Sequence, residues 1–516
     1  MKLRIKAGIL ACLMICSLFI STLPTVFAYE GTPEFIRIGL YYASTAKESV
    51  NITSTGGISL LVTDDTQSIP LCADESVSKV LVKRDDCYHA ELRQAFDTYE
   101  EAWEMKSALM KEGYPAFTAY RGGNYRVWIG VCSGKSEAQE SAGGLDVQIL
   151  PPNEKSVLVY IGDAVWMGVA DDTMHLTVAP IDGTLAVEGT GYRGSVQFMR
   201  HTTGDMTVVN VVDFDDYLCG VVPREVSASW NYEVVKAQAV VSRTFAITNL
   251  NKYKKYGFNL DATTNSQAYA GIKIEHEASN RAVKETHGEV VLYNGKPANV
   301  YFFASSGGKT GTAKDAWGGD DQPYLKSIDD PYENPEKATR ARWEMRFTAD
   351  ELKEKLAAKD VHIGDITNVT VEYSSSGSGR VIRTVFHGTN GTKEYLRENV
   401  RWVLGVYSAA FSVSRSGEAP KVKLSLSELT KSISKMPAAN RSILGSISAS
   451  GAITVKTVDT IQSLSGNAEG SGDFIFTGRG WGHGVGMSQW GAKGMAEAGF
   501  GYKEIIEYYF TGTQVG

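Results

Sequence analysis

The sequence predicts an α+β fold, a β-rich core with buried helices preceded by a small α+β module. Three observations predict it. Short runs alternating apolar and polar residues, bounded by Gly, Asp and Ser turns, recur over residues 34–77 and 155–222, as half-buried strands do. Between them, from Tyr88 to Leu150, the apolar period switches in the order strand, helix, strand, strand, helix, strand. Farther on, Val234, Ala237, Val241 and Phe245 recur at helical spacing with Ala239 and Ala246 on neighbouring faces, so their helix is packed almost all round.

At 516 residues, 43% hydrophobic and 22% charged, the chain is ordinary globular material, with a length prior of roughly three domains. A net charge of -7 gives no basic footprint, which argues against nucleic acid as a partner. Lys2, Arg4 and Lys6 precede an apolar run from Ala7 to Leu23, and Val26, Phe27 and Ala28 form a small-residue cleavage site. Residues 1–28 therefore read as a signal peptide cleaved after Ala28, with an uncleaved membrane anchor as the alternative. Either way the body is expected to be secreted or in the cell envelope. Beyond this leader Cys72, Cys87, Cys132 and Cys219 show no metal spacing; Cys219 suits a small buried thiol, and a Cys72 to Cys87 bridge stays open.

In chain order, residues 29–78 form an N-terminal β-rich segment. Residues 79–150 hold the small module. Its first helix carries Ala102, Met105, Leu109 and Met110 and ends at Gly113; Gly122 and Gly123 turn between its middle strands, and Ser136 can cap its second helix. Residues 151–516 form the core, whose residues 416–472 shift to Ser, Gly, Lys and Ala and read as a surface insertion. Within the core a helix is expected around Ala278 to Thr286, and Asn294-Gly295 marks a hairpin. A further helix spans Ala349 to Leu356, with strands at VTVEYS, RVIRTVFHG and FSVSR.

The stretch from Val221 to Phe245 organises the core. It holds one carboxylate, Glu225, in a turn just after Pro223, and Ser229 or Asn231 can cap the helix that follows. Trp230 and Pro223 would push the Glu225 carboxyl up, whereas Arg224, Lys236 or Arg243 would pull it down. Two later stretches join it. Ser305-Ser306-Gly307-Gly308 reads as a Gly-rich turn lining a groove; Phe303 stands where a phosphate loop needs glycine, and no serine here sits in a nucleophile motif. Near the end, Gly480, Gly482, Gly484 and Gly486 surround His483, as in a loop whose backbone approaches a ligand or another backbone. Met487, Trp490, Gly491, Gly494, Met495 and Ala498 then define a buried helical face, and Tyr502, Ile505, Ile506, Tyr509 and Phe510 a second helix.

Glu112-Gly113-Tyr114, Gly122-Gly123, Tyr125-Arg126-Val127, Ile129-Gly130 and Ser136-Glu137-Ala138 resemble the SPOR domain pattern. That resemblance implies binding to peptidoglycan glycan strands stripped of their peptides. Four further stretches together resemble the SpoIID/LytB family of cell-wall proteins. They are Tyr217 to Val226 with Lys236 to Phe245; Thr263-Thr264 with Ser266 to Gly271; Ser305 to Gly308 with Trp317-Gly318-Gly319 and Pro323-Tyr324-Leu325; and Gly478 to Ala492. This implies a lytic transglycosylase acting on peptidoglycan, with Glu225 as its catalytic acid. Gln238, Arg243, Ser305, Ser306, His483 and Gln489 are the candidates for holding sugar or acid. The other branch of the family implies a non-catalytic glycan binder that enhances a partner cell-wall amidase. Some family members bind zinc in the loop before the QVY.G pattern, where this chain has Leu260, Asn265 and Ser266. None ligates zinc well, so no metal or other cofactor is expected. Val226 stands where methionine is common.

The chemistry agrees with one placed acid. A hydrolase needs two carboxylates, one for the leaving oxygen and one for water or the anomeric carbon. A lytic transglycosylase needs one, because the sugar's own C6 hydroxyl replaces water.

Overall fold

A computed structural model describes residues 29, 31–64, 66–200, 204–416 and 472–516. The expected leader and residues 417–471 of the expected insertion lie outside the described residues. The fold is α+β with buried helices.

Fifteen strands form one sheet. From one edge thirteen run in the order Leu260–Asp261, Phe35–Tyr41, Met206–Asp213, Ser195–Arg200, His175–Val187, Ser49–Thr63, Lys79–Arg84, Val157–Ile161, Ala164–Val169, Ala116–Arg121, Asn124–Cys132, Tyr88–Leu92 and Val147–Leu150, while Thr190–Tyr192 pairs with His175–Val187 and Ser68–Asp74 with Ser49–Thr63 off this path. The last four, with helices Tyr99–Lys111 and Lys135–Ala142, form the βαββαβ unit read from the sequence. Thr98 and Glu101 cap the first helix reciprocally. The second starts after Gly134 rather than at Ser136, because Glu137 reaches back to the Ser133 N–H and already satisfies that end.

One face of this unit, with Ala90, Val127 and Ile129, packs on Ala102, Leu109 and Ala142 of its helices. The other face is also covered. Phe117, Ala119 and Trp128 pack against Leu158 and Ala170 of the following segment, whose strand Ala164–Val169 pairs in parallel with Ala116–Arg121.

On the other side of the sheet's length, strand Met206–Asp213 runs straight into helix Phe214–Cys219, capped by the Asp213 carboxylate. The one-turn helix Val222–Glu225 and helix Tyr232–Thr248 follow, the latter capped by Asn231, which accepts from the Glu233 N–H at 3.0 Å. Val234, Ala237 and Val241 are fully buried, as their spacing predicts, as are Ala239 and Ala246, whereas Phe245 at the end of the same row is only partly buried. Asn294 and Gly295 take φ of 50° and 74°, the left-handed pair of a tight hairpin.

Strands Arg342–Phe347, Phe474–Arg479 and Phe411–Arg415 form a second sheet, beside the meander Ile366–Tyr373, Val381–Gly388 and Gly391–Leu396. With helices Ala349–Ala357 and Asn399–Leu404 they enclose a separate core around Leu352, Phe386, Phe474 and Phe476. Strand Phe474–Arg479 hands the chain to the Gly-rich loop, where Gly480, Gly482, Gly484 and Gly486 all have positive φ. Helices Gln489–Glu497 and Tyr502–Tyr509 close the fold. Met487 belongs to a two-residue strand beside Phe302 rather than to the helix its spacing suggested. All four described cysteines are free, so Cys72 and Cys87 are not bridged; burial pushes the Cys219 thiol up to about 12.

Candidate functional site

Glu225 closes the single helical turn Val222–Glu225, whose second residue is Pro223, and Val226 leaves it in extended, buried backbone. The carboxylate is thus pinned between a short helix and the core. It accepts hydrogen bonds from the Ala268 N–H and from the Gln489 side chain. Burial raises its pKa above the usual carboxylate value; those two bonds and Arg224 pull the other way and do not prevail. Lys236 and Arg243 take no part in that balance. Lys236 pairs with Glu285 at 3.1 Å and Glu233 at 3.6 Å instead.

Gln489 begins its helix just after the cap residue Ser488, and its Nε2 lies 3.4 Å from Gln238 Oε1. Gln238 in turn donates to Ser242 Oγ at 3.0 Å. Two glutamines predicted separately therefore form one amide relay from the central helix to the acid. Tyr217, fully buried, lies within the field of Glu225, and its hydroxyl donates to Gln267 Oε1 at 3.1 Å. The Gln267 amide nitrogen is buried without a hydrogen-bond partner. Beside Gln489, the rings of Trp490 and Trp230 stand 5.0 Å apart with Lys493 Nζ over both, at 4.5 and 5.1 Å.

The other four predicted residues are not brought to the acid. Arg243 is wholly buried and binds main-chain carbonyls of Val283, Thr286 and Glu289 at 2.7 to 3.2 Å, closing the end of helix Glu277–Glu285. Seven residues from Lys236 it shares that residue's side of the helix, but that side faces another helix and not a groove. Ser305 and Ser306 are likewise fully buried and line no groove. Their hydroxyls and the N–H groups of Ser306 and Gly307 converge on Glu333 at 2.7 to 3.0 Å, since a tight turn facing the interior must find an acceptor for its donors. His483 is pressed among Tyr301, Phe303 and Trp317. Its Nδ1 accepts from the Val485 N–H at 3.1 Å and the ring bonds the Phe302 carbonyl, so it is neutral. Burial, aided by Arg380 and Arg401, pushes its pKa down to about 3.

Residues unmarked by periodicity complete the neighbourhood. Tyr217, Gln267 and Ala268 lie within the stretches that carry the resemblance, so that signal contained them. Asp330 and Glu333 do not; two acids in DDPYE look like solvated loop, yet they are 1% and 6% exposed. Leu260 is buried in a strand and Ser266 Oγ accepts from the Asp261 N–H at 3.3 Å. Among the described residues no three His, Cys, Asp or Glu side chains gather as a metal ion would need.

Comparison with known proteins gives a profile match over residues 202–293 to the family described as SpoIID, stage II sporulation protein. An uncharacterised protein of Brachyspira hyodysenteriae is 30% identical over 330 residues, covering 64% of this chain and 73% of that protein. The amidase enhancer of Bacillus subtilis is 30% identical over 317 residues, 57% of this chain but only 40% of that protein. Stage II sporulation protein D of the same organism is 28% identical over 333 residues, 61% of this chain and 77% of its own length.

Proposed function

From the premise that this chain belongs to the SpoIID/LytB, or stage II sporulation protein D, family, we propose that it acts on the cell wall as an exported peptidoglycan lytic transglycosylase. Glu225 is its single acid and base. The observation that carries this reading is the half-buried Glu225 carboxyl, raised by burial, held by two neutral donors and, among the described residues, with no other carboxylate among the groups acting on it. Protonated, Glu225 gives its proton to the oxygen between MurNAc C1 and GlcNAc C4, and the C1–O bond breaks. The MurNAc C6 hydroxyl then attacks C1, and its proton passes to the Glu225 carboxylate, leaving a 1,6-anhydro ring and a restored acid. Gln489 and Gln238 orient the carboxyl, and the Trp230–Trp490 pair offers sugar an aromatic wall. Asp330 and Glu333 do not supply a second catalytic carboxylate, being buried and engaged with serines and backbone.

A second reading rests on the likeness to the amidase enhancer. Here the same surface binds glycan and assists a cell-wall amidase without cutting. The SPOR-like unit fits either reading as a glycan-gripping module.

Incubating the protein with amidase-stripped peptidoglycan, beside Glu225→Gln, decides between them. Anhydro-muropeptide ends by mass spectrometry from the parent, reduced at least 100-fold in the variant, are expected, as for loss of a general acid (~10²–10⁴). Glycan retention without cleavage by both would move the assignment to the enhancer.

A further inference from the structure

Below the first turn of helix Gln489–Glu497 lies a buried carboxylate pair that the proposed reaction does not use. Glu333 collects five hydrogen bonds: Ser305 Oγ and the Ser306 N–H at 2.7 Å, Ser306 Oγ and the Gly307 N–H at 3.0 Å, and Ser488 Oγ at 3.2 Å. Four of these fix the Ser305–Gly307 turn. The fifth reaches across to the cap of the helix, where Ser488 Oγ also accepts from the Gly491 N–H at 3.2 Å. Asp330 shares Ser306 Oγ with Glu333, at 2.8 Å, and lies with the Tyr509 hydroxyl against Gly491. Both acids stand near the helix N-terminus, whose dipole offsets only part of the burial that lifts Asp330. Their grip matters because the next residue after Ser488 is Gln489, whose amide bonds Glu225. The backbone cannot drift at Ser488 without carrying Gln489 with it.

We propose that Glu333 is a positioning residue: by binding Ser488 across from the Ser305–Gly307 turn, it fixes the start of the helix and so holds the Gln489 amide on Glu225. As a statement about catalysis this rests on the transglycosylase reading; as a statement about the Glu225 carboxyl it does not. The Gln489 hydrogen bond favours the charged form of Glu225, so releasing it raises that carboxyl's proton affinity. Arg224 on the same turn and the Tyr217 phenol from the preceding helix are the other groups facing Glu225, and Asp330, Tyr509 and Arg479 face Glu333.

The test reads Glu225 directly, by NMR titration of full-length protein carrying carboxyl-13C glutamate, with the resonance assigned by its loss in Glu225→Gln. The anhydro-forming activity is followed against pH in parallel. Gln489→Leu sets the full effect, an increase in Glu225 proton affinity of about tenfold, the worth of one hydrogen bond to a charged group. Glu333→Gln is expected to move it the same way, carrying the alkaline limb of activity upward, and to add nothing on top of Gln489→Leu. Ser488→Ala, which keeps Glu333 and the turn, gives a smaller shift in the same direction and decides the matter alone if Glu333→Gln does not fold. An unmoved Glu225 titration in a folded Glu333→Gln, or a shift that adds fully to that of Gln489→Leu, overturns the proposal. A parent protein that forms no anhydro ends but shows the coupled shifts removes the transglycosylase reading and leaves the positioning role standing.

Discussion

Glu225 and Asp330 are both lifted by burial, and both lifts have consequences in solution. Asp330 is pushed up to about 6, chiefly by burial and further by Glu333. Its folded pKa lies above its unfolded value, so the stability it contributes is fully present below about 3.8 and is lost as pH rises through about 6. Urea unfolding at pH 4.5 and 8 is expected to show that Asp330→Asn removes part of the parent's alkaline loss of stability, at most ~3 kcal/mol at ~1.4 kcal/mol per pH unit. An unchanged difference between the two pH values would show that Asp330 is already charged. For Glu225 the same sign would govern the proposed cleavage. Its acid form persists above the range of an ordinary glutamate and disappears as pH rises through its raised pKa, so cleavage should fall on the alkaline side. At this scale sequence placed the Glu225 carboxylate in the turn where it stands, because a side chain between proline and a buried helix has little choice of place. It did not locate Arg243, Ser305, Ser306 or His483 correctly in space, because whether a polar side chain faces a groove or a carbonyl depends on which distant element packs there.

Helix Gln489–Glu497 inverts a usual rule. Replacing a mid-helix glycine with alanine ordinarily gains about 1 kcal/mol. At Gly491 an added Cβ would strike the Tyr509 hydroxyl and the Asp330 carboxylate, so Gly491→Ala is expected to destabilise by at least ~1 kcal/mol and to lower the melting temperature. The central helix obeys the ordinary rule, and Asn231→Ala should cost about 1 kcal/mol through its cap. Arg243→Met, which strands three carbonyls at the end of helix Glu277–Glu285, should cost about 3 kcal/mol in chemical denaturation. It should leave the pH at which activity falls unchanged, since Arg243 does not touch the balance on Glu225. Most long elements were legible from their period, including the buried helix and the βαββαβ order. Strand Gly391–Leu396 and helix Asn399–Leu404 were not. GTKEYL buries no side chain fully, only Lys393 and Tyr395 in part, and six residues of helix are too few to establish a period.

For the whole molecule, sequence divided what the sheet joins. Composition and period set residues 79–150 apart, but the pairing of Ala164–Val169 with Ala116–Arg121 is parallel and long-range, and no local pattern encodes it. Residues 79–150 expressed alone would expose Phe117 and Trp128, which are 3% and 1% exposed in the full chain. That segment is expected to lack a sharp thermal transition and to bind a hydrophobic dye, whereas residues 29–516 should melt with the unit included. A sharp, independent melt of the short segment would show that its second face tolerates water.

Such a join governs reach. A binding module on a flexible linker samples a volume, and its effective concentration falls as the linker lengthens. Here strand follows strand from Val147–Leu150 to Met206–Asp213, and from there the chain turns directly into the helices that carry Glu225. Anything bound by the βαββαβ unit would be held at a fixed bearing from Glu225, as on the arm of a caliper, with its spacing set by the sheet rather than by the slack of a tether.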